Sequence, residues 1–273
     1  TLALGAVKRC NRKFHELDRY VPVRLSSRMK LLSNVHRISL VDRLEREDQL
    51  HGASGLVATV QGDYDYYHYC VDGFNDVGWG CAYRTCQTML SHLKSYGTMR
   101  EMSTPPGIPS IPEMQQMLCS LGDKSTSFVG SSTRIGSCEI ALLVSALYGV
   151  PCRILTTNDG QQAGQEWGKD LLDHFKTEKT PVMCGGAAGG STAILGIDLT
   201  VSASPQLLLL DPHYNGPDVE EVFSTDRWCY WCEAKLYFEK NAFYNCCMPL
   251  VSRGTPSEIV VTRSDYTIPQ TMV

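Results

Sequence analysis

The sequence predicts an α+β protein. Three observations carry that prediction: short apolar runs bounded by Gly, Pro or Asp, helical periodicities interspersed with them, and an ordinary globular composition. Of 273 residues, 43% are hydrophobic and 20% charged, which excludes a disordered, collagenous or coiled-coil chain. At a prior of roughly 150 residues per domain the length suits one large domain or two small ones. The longest apolar runs, residues 140–150 and 207–210, fall far short of the roughly 20 residues a membrane helix needs. The chain opens on Thr1 without a secretory pattern, so a fragment or processed form is expected.

Taken in order, residues 1–56 are basic and then mixed, with a helix expected over 40–50, and they end in the Gly-rich stretch at 51–55, where the domain boundary is placed. An apolar stretch at 56–60 reads as extended, and the alternation in Tyr64-Asp65-Tyr66-Tyr67-His68-Tyr69 suits a half-buried strand. Turn residues then lead through Gly78-Trp79-Gly80 to Cys81, which opens a helix with Ala82, Cys86, Met89, Leu90 and Leu93 at helical spacing,. Helices follow over 113–121, 138–147 and 165–175, and strands over 152–156, 181–184, 194–197 and 206–210. Residues 252–273 read as a poorly ordered end. The organisation expected is a basic extension at 1–56, a catalytic domain at 57–252 and a flexible tail at 253–273.

The net charge of -4 argues against a nucleic-acid-binding protein,. It hides an asymmetry: the first 50 residues carry 11 Lys and Arg against 6 Asp and Glu. That stretch reads as a solvated face or tail. Twelve cysteines scattered over a mid-sized chain without a signal peptide point to a reducing compartment and free thiols. Cys229 and Cys232 form one CxxC without a second ligand pair at zinc spacing, so no metal and no cofactor is expected.

A cysteine at a helix N-terminus is stabilised as thiolate by the dipole and the free amides there. Cys81 is therefore a candidate nucleophile. Its candidate partners are Asp211 and His213, two apart around Pro212 at the end of an apolar strand, so that both face one site. A catalytic histidine needs such a carboxylate to fix its tautomer. Without Cys81, the same pair reads as a strand-end turn.

Several strings together resemble the ubiquitin-fold modifier 1-specific proteases. They are Tyr67-His68-Tyr69, Gly78-Trp79-Gly80-Cys81-Ala82-Tyr83-Arg84 with Gln87-Thr88, Gly122-Asp123-Lys124, Ser127-Phe128-Val129-Gly130, Ile135-Gly136-Ser137, Ile194-Leu195-Gly196-Ile197, Asp211-Pro212-His213-Tyr214 and Ala242-Phe243-Tyr244-Asn245-Cys246. The resemblance covers about residues 57–250 and implies a papain-like cysteine peptidase with a central antiparallel sheet. It implies Cys81 as nucleophile, His213 as general base and acid, Asp211 as its orienting carboxylate and Tyr69 as an oxyanion-hole donor. The implied partners are ubiquitin-fold modifier 1 and its protein conjugates, acted on by a cytoplasmic monomer. The resemblance leaves room for an adaptor that recruits it to the endoplasmic reticulum membrane.

A tail of small residues threads a narrow groove, for which Trp79, Gly185 and Gly186 are candidate walls. Arg134 stands where the family commonly shows an aromatic, and the segment at 185–190 is unusually rich in Gly and Ala. Both departures bear on substrate fit. The rival readings are an autophagin acting on the autophagy modifier, a catalytically silent modifier-binding scaffold, and a zinc adaptor built on Cys229 and Cys232.

Overall fold

Strand side chains alternate between the two faces of a sheet, so a strand buried on both faces must be apolar at nearly every position. The central strands meet that condition. The structure, a computed structural model, describes residues 55–62, 64–95, 107–186, 190–200, 204–216, 228–253 and 260–261. Strands β1 (Val57–Thr59), β2 (Cys152–Thr157), β3 (Val182–Gly186), β4 (Gly190–Asp198), β5 (Gln206–Leu210), β6 (Cys229–Glu233), β7 (Tyr244–Pro249) and β8 (Val260–Val261) form one sheet. Its order is β6-β5-β4-β3-β7-β2-β8, with β1 pairing β4 beside that path. Every pairing is antiparallel except β2 with β8.

The helices cover both faces. Helices α1 (Cys81–Ser95), α2 (Ile111–Ser120) and α3 (Ser137–Tyr148) pack on one side, where Met89, Leu90, Ile140 and Val144 meet Ile154, Met183 and Cys247. Helix α4 (Gly160–Thr177) and the short α5 (Ala234–Tyr237) pack on the other, where Trp167, Leu171 and Phe175 meet Leu155, Val182, Cys184, Cys246 and Met248. Adjacent residues such as Ile154 and Leu155, or Cys246 and Cys247, thus enter opposite cores.

Two helices start earlier than their apolar periodicity indicates, because capping extends them. Ser110 and Glu113 close a capping box before α2, and Asp159 accepts from the Gln161 N–H before α4,.

The strand expected over residues 64–69 is not one. The segment is extended but joins no ladder, and Tyr64, Tyr66, Tyr67, His68 and Tyr69 are all buried rather than alternating. Tyr64 and Tyr66 lie across the face of β4 and β5 carrying Ala193, Leu195, Leu208 and Leu210. Burial of this face needs a strap, and aromatic bulk without strand pairing supplies it. At the ends of the Gly-rich segment β3 and β4 pair antiparallel, Gly186 opposite Gly190.

Residues 260–261 of the expected tail add β8 to the sheet edge. The helix expected over 40–50 and most of the basic extension lie outside the described residues. Among the described residues no helix is long and apolar enough to cross a membrane.

Candidate active site

The turn before α1 places the thiol. Gly80 O accepts the first helical bond from the Arg84 N–H at 3.0 Å, so Cys81 occupies the first turn among N–H groups that have no partner inside the helix. Its side chain is buried, at 4% exposure. The Ser191 N–H, at the start of β4, donates to Cys81 Sγ at 3.3 Å.

The strap and the end of β5 bring the remaining groups. His213 Nδ1 donates to Asp211 Oδ1 at 2.5 Å, and the His213 N–H donates to the same oxygen at 2.9 Å. This leaves Nε2 on the side of the thiol: both atoms lie against the same point above Gly190, and the imidazole acts on the ionisation of Cys81. The Asp211–His213 turn is pinned to the strap: the Tyr69 N–H donates to Pro212 O at 3.1 Å, and the Tyr66 hydroxyl donates to Asp211 O. The Tyr69 ring stands edge-on to the His213 ring at 5.3 Å. Its hydroxyl lies near enough to the Cys81 thiol and to the Gly78 backbone amide for each to act on its ionisation. Cys81, Asp211, His213 and Tyr69 therefore share one site.

Electrostatics follow from these contacts. Burial alone would push the Cys81 thiol up, but the hydrogen bond and charge of His213, then the Ser191 N–H and the Tyr69 hydroxyl, hold it below its ordinary value,. Burial alone would lower His213, yet Asp211 and Cys81 push it up to about 10. Tyr69 is raised by burial and by the Cys81 charge, so its hydroxyl stays protonated and remains a donor. The arrangement favours the thiolate beside an imidazolium, with a neutral tyrosine O–H nearby.

A cleft of about 240 Å³ opens at Cys81, lined among others by Gly185, Gly186, Gly190 and Arg134. Side chains are sterically barred from its floor: a Cβ on Gly186 would lie 2.5 Å from the Tyr244 ring, and one on Gly190 would lie 2.9 Å from His213 Nε2. Gly185 and Gly186 thus line the cleft beside Cys81. Trp79 does not line this cleft; its ring packs edge-on against Phe74 and Tyr83 at 5.9 and 5.7 Å. Arg134 donates to Gly78 O at 2.9 Å across the cleft rim.

Sequence reasoning missed Ser191, whose contribution is a backbone N–H and leaves no residue-type signal. It also missed the buried pair Asp76 and Arg84 behind the helix start. In the sequence Arg84 stands within the string that carries the resemblance and Asp76 among the turn residues before it, with nothing to pair them. Among the described residues no group of three or more His, Cys, Asp or Glu is arranged to hold a metal. Cys229 and Cys232, three apart on β6, point to opposite faces of the sheet, so they do not converge on one ion.

Comparison with known proteins agrees with this geometry. The chain is 37% identical over 220 residues to a probable Ufm1-specific protease of Oryza sativa subsp. japonica, covering 77% of this chain and 33% of that one. It is 41% identical over 197 residues to Ufm1-specific protease 2 of Gallus gallus, covering 72% and 41%. Against the Ufm1-specific protease of Caenorhabditis elegans the identity is 38% over 243 residues, covering 87% and 40%. The chain thus spans about a third to two-fifths of the length of these relatives.

The crystal structure of UfSP from C. elegans matches with a TM-score of 0.61 at 35% identity, covering 74% of this chain and 35% of that one. The fold is the expected α+β, papain-like one. Residues 55–247 match the family described as Peptidase family C78, and with a buried thiol, an oriented imidazole and a tyrosine gathered at one helix start, the chain belongs to that family of cysteine peptidases.

Proposed function

We propose that this chain cleaves after the C-terminal Gly of ubiquitin-fold modifier 1, trimming its precursor and releasing the mature modifier from target lysines. The single observation that supports the reading best is the convergence of Asp211, His213 and Cys81, with the Tyr69 ring edge-on to the imidazole. The names of the relatives support the substrate.

In this reading the Cys81 thiolate attacks the glycyl carbonyl. The oxyanion that forms takes the Tyr69 O–H, and each such donor is worth roughly 3 kcal/mol. His213, held protonated by Asp211, gives its proton to the leaving amine, and the thioester remains. Water then attacks as neutral His213 takes its proton, and the thiolate leaves. The glycine floor of the cleft fits a tail of small residues, because it admits substrate backbone where side chains are absent on both partners. The reading also carries a cytoplasmic monomer, with recruitment to the endoplasmic reticulum surface by an adaptor; sedimentation and cell fractionation test these two parts.

The test mixes the protein, and separately Cys81→Ser, with the precursors of ubiquitin-fold modifier 1 and of the autophagy modifier, and follows trimming by mass spectrometry. Trimming of the first alone, lost in the variant, is expected. Trimming of the second alone moves the chain to autophagin chemistry, and a chain that binds either precursor without trimming it is a scaffold.

A further inference from the structure

Behind the helix start lies a buried ion cluster that no step of the chemistry uses. Arg84, fully buried, donates to Asp76 through Nε and Nη2, both at 2.9 Å, and to Asp72 at 2.8 Å. A buried pair of this kind stabilises a fold little better than apolar side chains of the same volume. What sets this one apart is what Asp76 touches.

Asp76 Oδ1 accepts the Cys70 N–H at 2.9 Å. Cys70 directly follows Tyr69 and has φ +59, a left-handed conformation that costs a non-glycine residue energy and persists only where neighbours impose it. Asp76 O accepts the Gly80 N–H at 2.9 Å, and a Cβ on Gly80 would lie 2.1 Å from Asp76 Oδ2. One aspartate therefore grips the residue after Tyr69 and packs against the residue before Cys81, while Arg84, on α1 itself, fixes the carboxylate.

From this geometry we infer that Asp76 and Arg84 are positioning residues, which set the Tyr69 hydroxyl against Cys81 Sγ through the strained turn at Cys70. The inference rests on the reading of Cys81 as nucleophile and Tyr69 as oxyanion donor. Arg84 acts by holding Asp76, and Asp76 acts by holding both loop ends.

The test is a double-mutant cycle of Asp76→Asn and Tyr69→Phe, with kcat and KM on the modifier precursor and thermal melting of each variant. Tyr69→Phe is expected to lower kcat roughly 100-fold with KM little changed. Asp76→Asn is expected to lower kcat at least 10-fold, again with little change in KM. The double variant is expected to be no slower than Tyr69→Phe alone by more than about threefold, because both changes remove the same donor.

Losses that multiply, or an Asp76→Asn variant that melts earlier but turns over at the parental rate, overturn the inference and leave the cluster structural. If Asp76→Asn does not fold, Asp76→Glu keeps the charge and displaces it by a methylene, and the same non-additivity is expected of it. A Tyr69→Phe variant as fast as the parent overturns the reading of Tyr69 and the inference with it, an outcome distinct from a silent Asp76.

Discussion

The proton that the leaving amine needs resides on one side chain. Asp211 and the Cys81 thiolate push His213 up to about 10 against the effect of burial, so the imidazolium is present at neutral pH and is lost as pH rises through that value. Asp211→Asn keeps an acceptor for Nδ1 but removes its charge. The alkaline limb of kcat/KM should therefore move down by about 1–3 pH units, with a loss of rate at neutral pH, measured from about pH 5 to 11. An alkaline limb that stays in place would mean that Asp211 orients the ring without tuning it. Cys81, Asp211 and His213 were legible in the sequence because each signal is local: a thiol at a helix start, and two residues on one side of a strand end. Asp76 and Arg84 were not, since eight positions separate them and an Asp and an Arg at that distance look the same on a solvated surface as in a buried clamp.

At the scale of elements, the β3–β4 hairpin controls how closely imidazole and thiol approach. Gly190 has φ +80, and a Cβ there would lie 2.9 Å from His213 Nε2 and 3.2 Å from Cys81 Sγ. Gly190→Ala is expected to cost about 1–3 kcal/mol of stability through backbone strain, seen in thermal melting. It should also lower kcat at least tenfold on the folded protein, because a methyl group displaces the imidazole and small misplacements of reacting groups cost rate steeply. A variant that melts earlier yet turns over normally would place slack between the hairpin and the pair. The helices α1 and α3 and the strands β2 and β5 were legible because their burial follows the periodicity of their own residues. The strap at 64–69 was not, because its burial is imposed by the sheet face beneath it. Strand β6 hid inside a cysteine and tryptophan cluster that reads as a motif, and its pairing with Leu207, Leu208 and Leu209 is a tertiary fact.

On the scale of the whole molecule, one sheet with a core on each face sorts the thiols into two kinds. Eleven of the cysteines lie among the described residues, none in a disulfide. Burial pushes Cys86 and Cys246 up, and Cys247 is raised by its hydrogen bond with Cys152 and by burial. Burial also raises Cys138 and Cys232, which lie nearer the surface. Cys81 is buried too, yet it is lowered, because it faces the His213 imidazolium, which none of the others does, in addition to standing at a helix start. Exposure and reactivity are therefore expected to be uncoupled in this protein. At about pH 6 an ordinary thiol of pKa about 8.5 is less than 1% ionised, so limiting iodoacetamide should place one adduct on Cys81, read by peptide mapping, ahead of the more exposed Cys138. Cys81→Ser should take up almost none under the same conditions. Asp211→Asn should slow the labelling, because the imidazolium that stabilises the thiolate is weakened. An adduct spread over several cysteines in the parent would mean that the helix start and His213 do not outweigh burial at Cys81, and the stored thiolate would have to be abandoned as the basis of the mechanism.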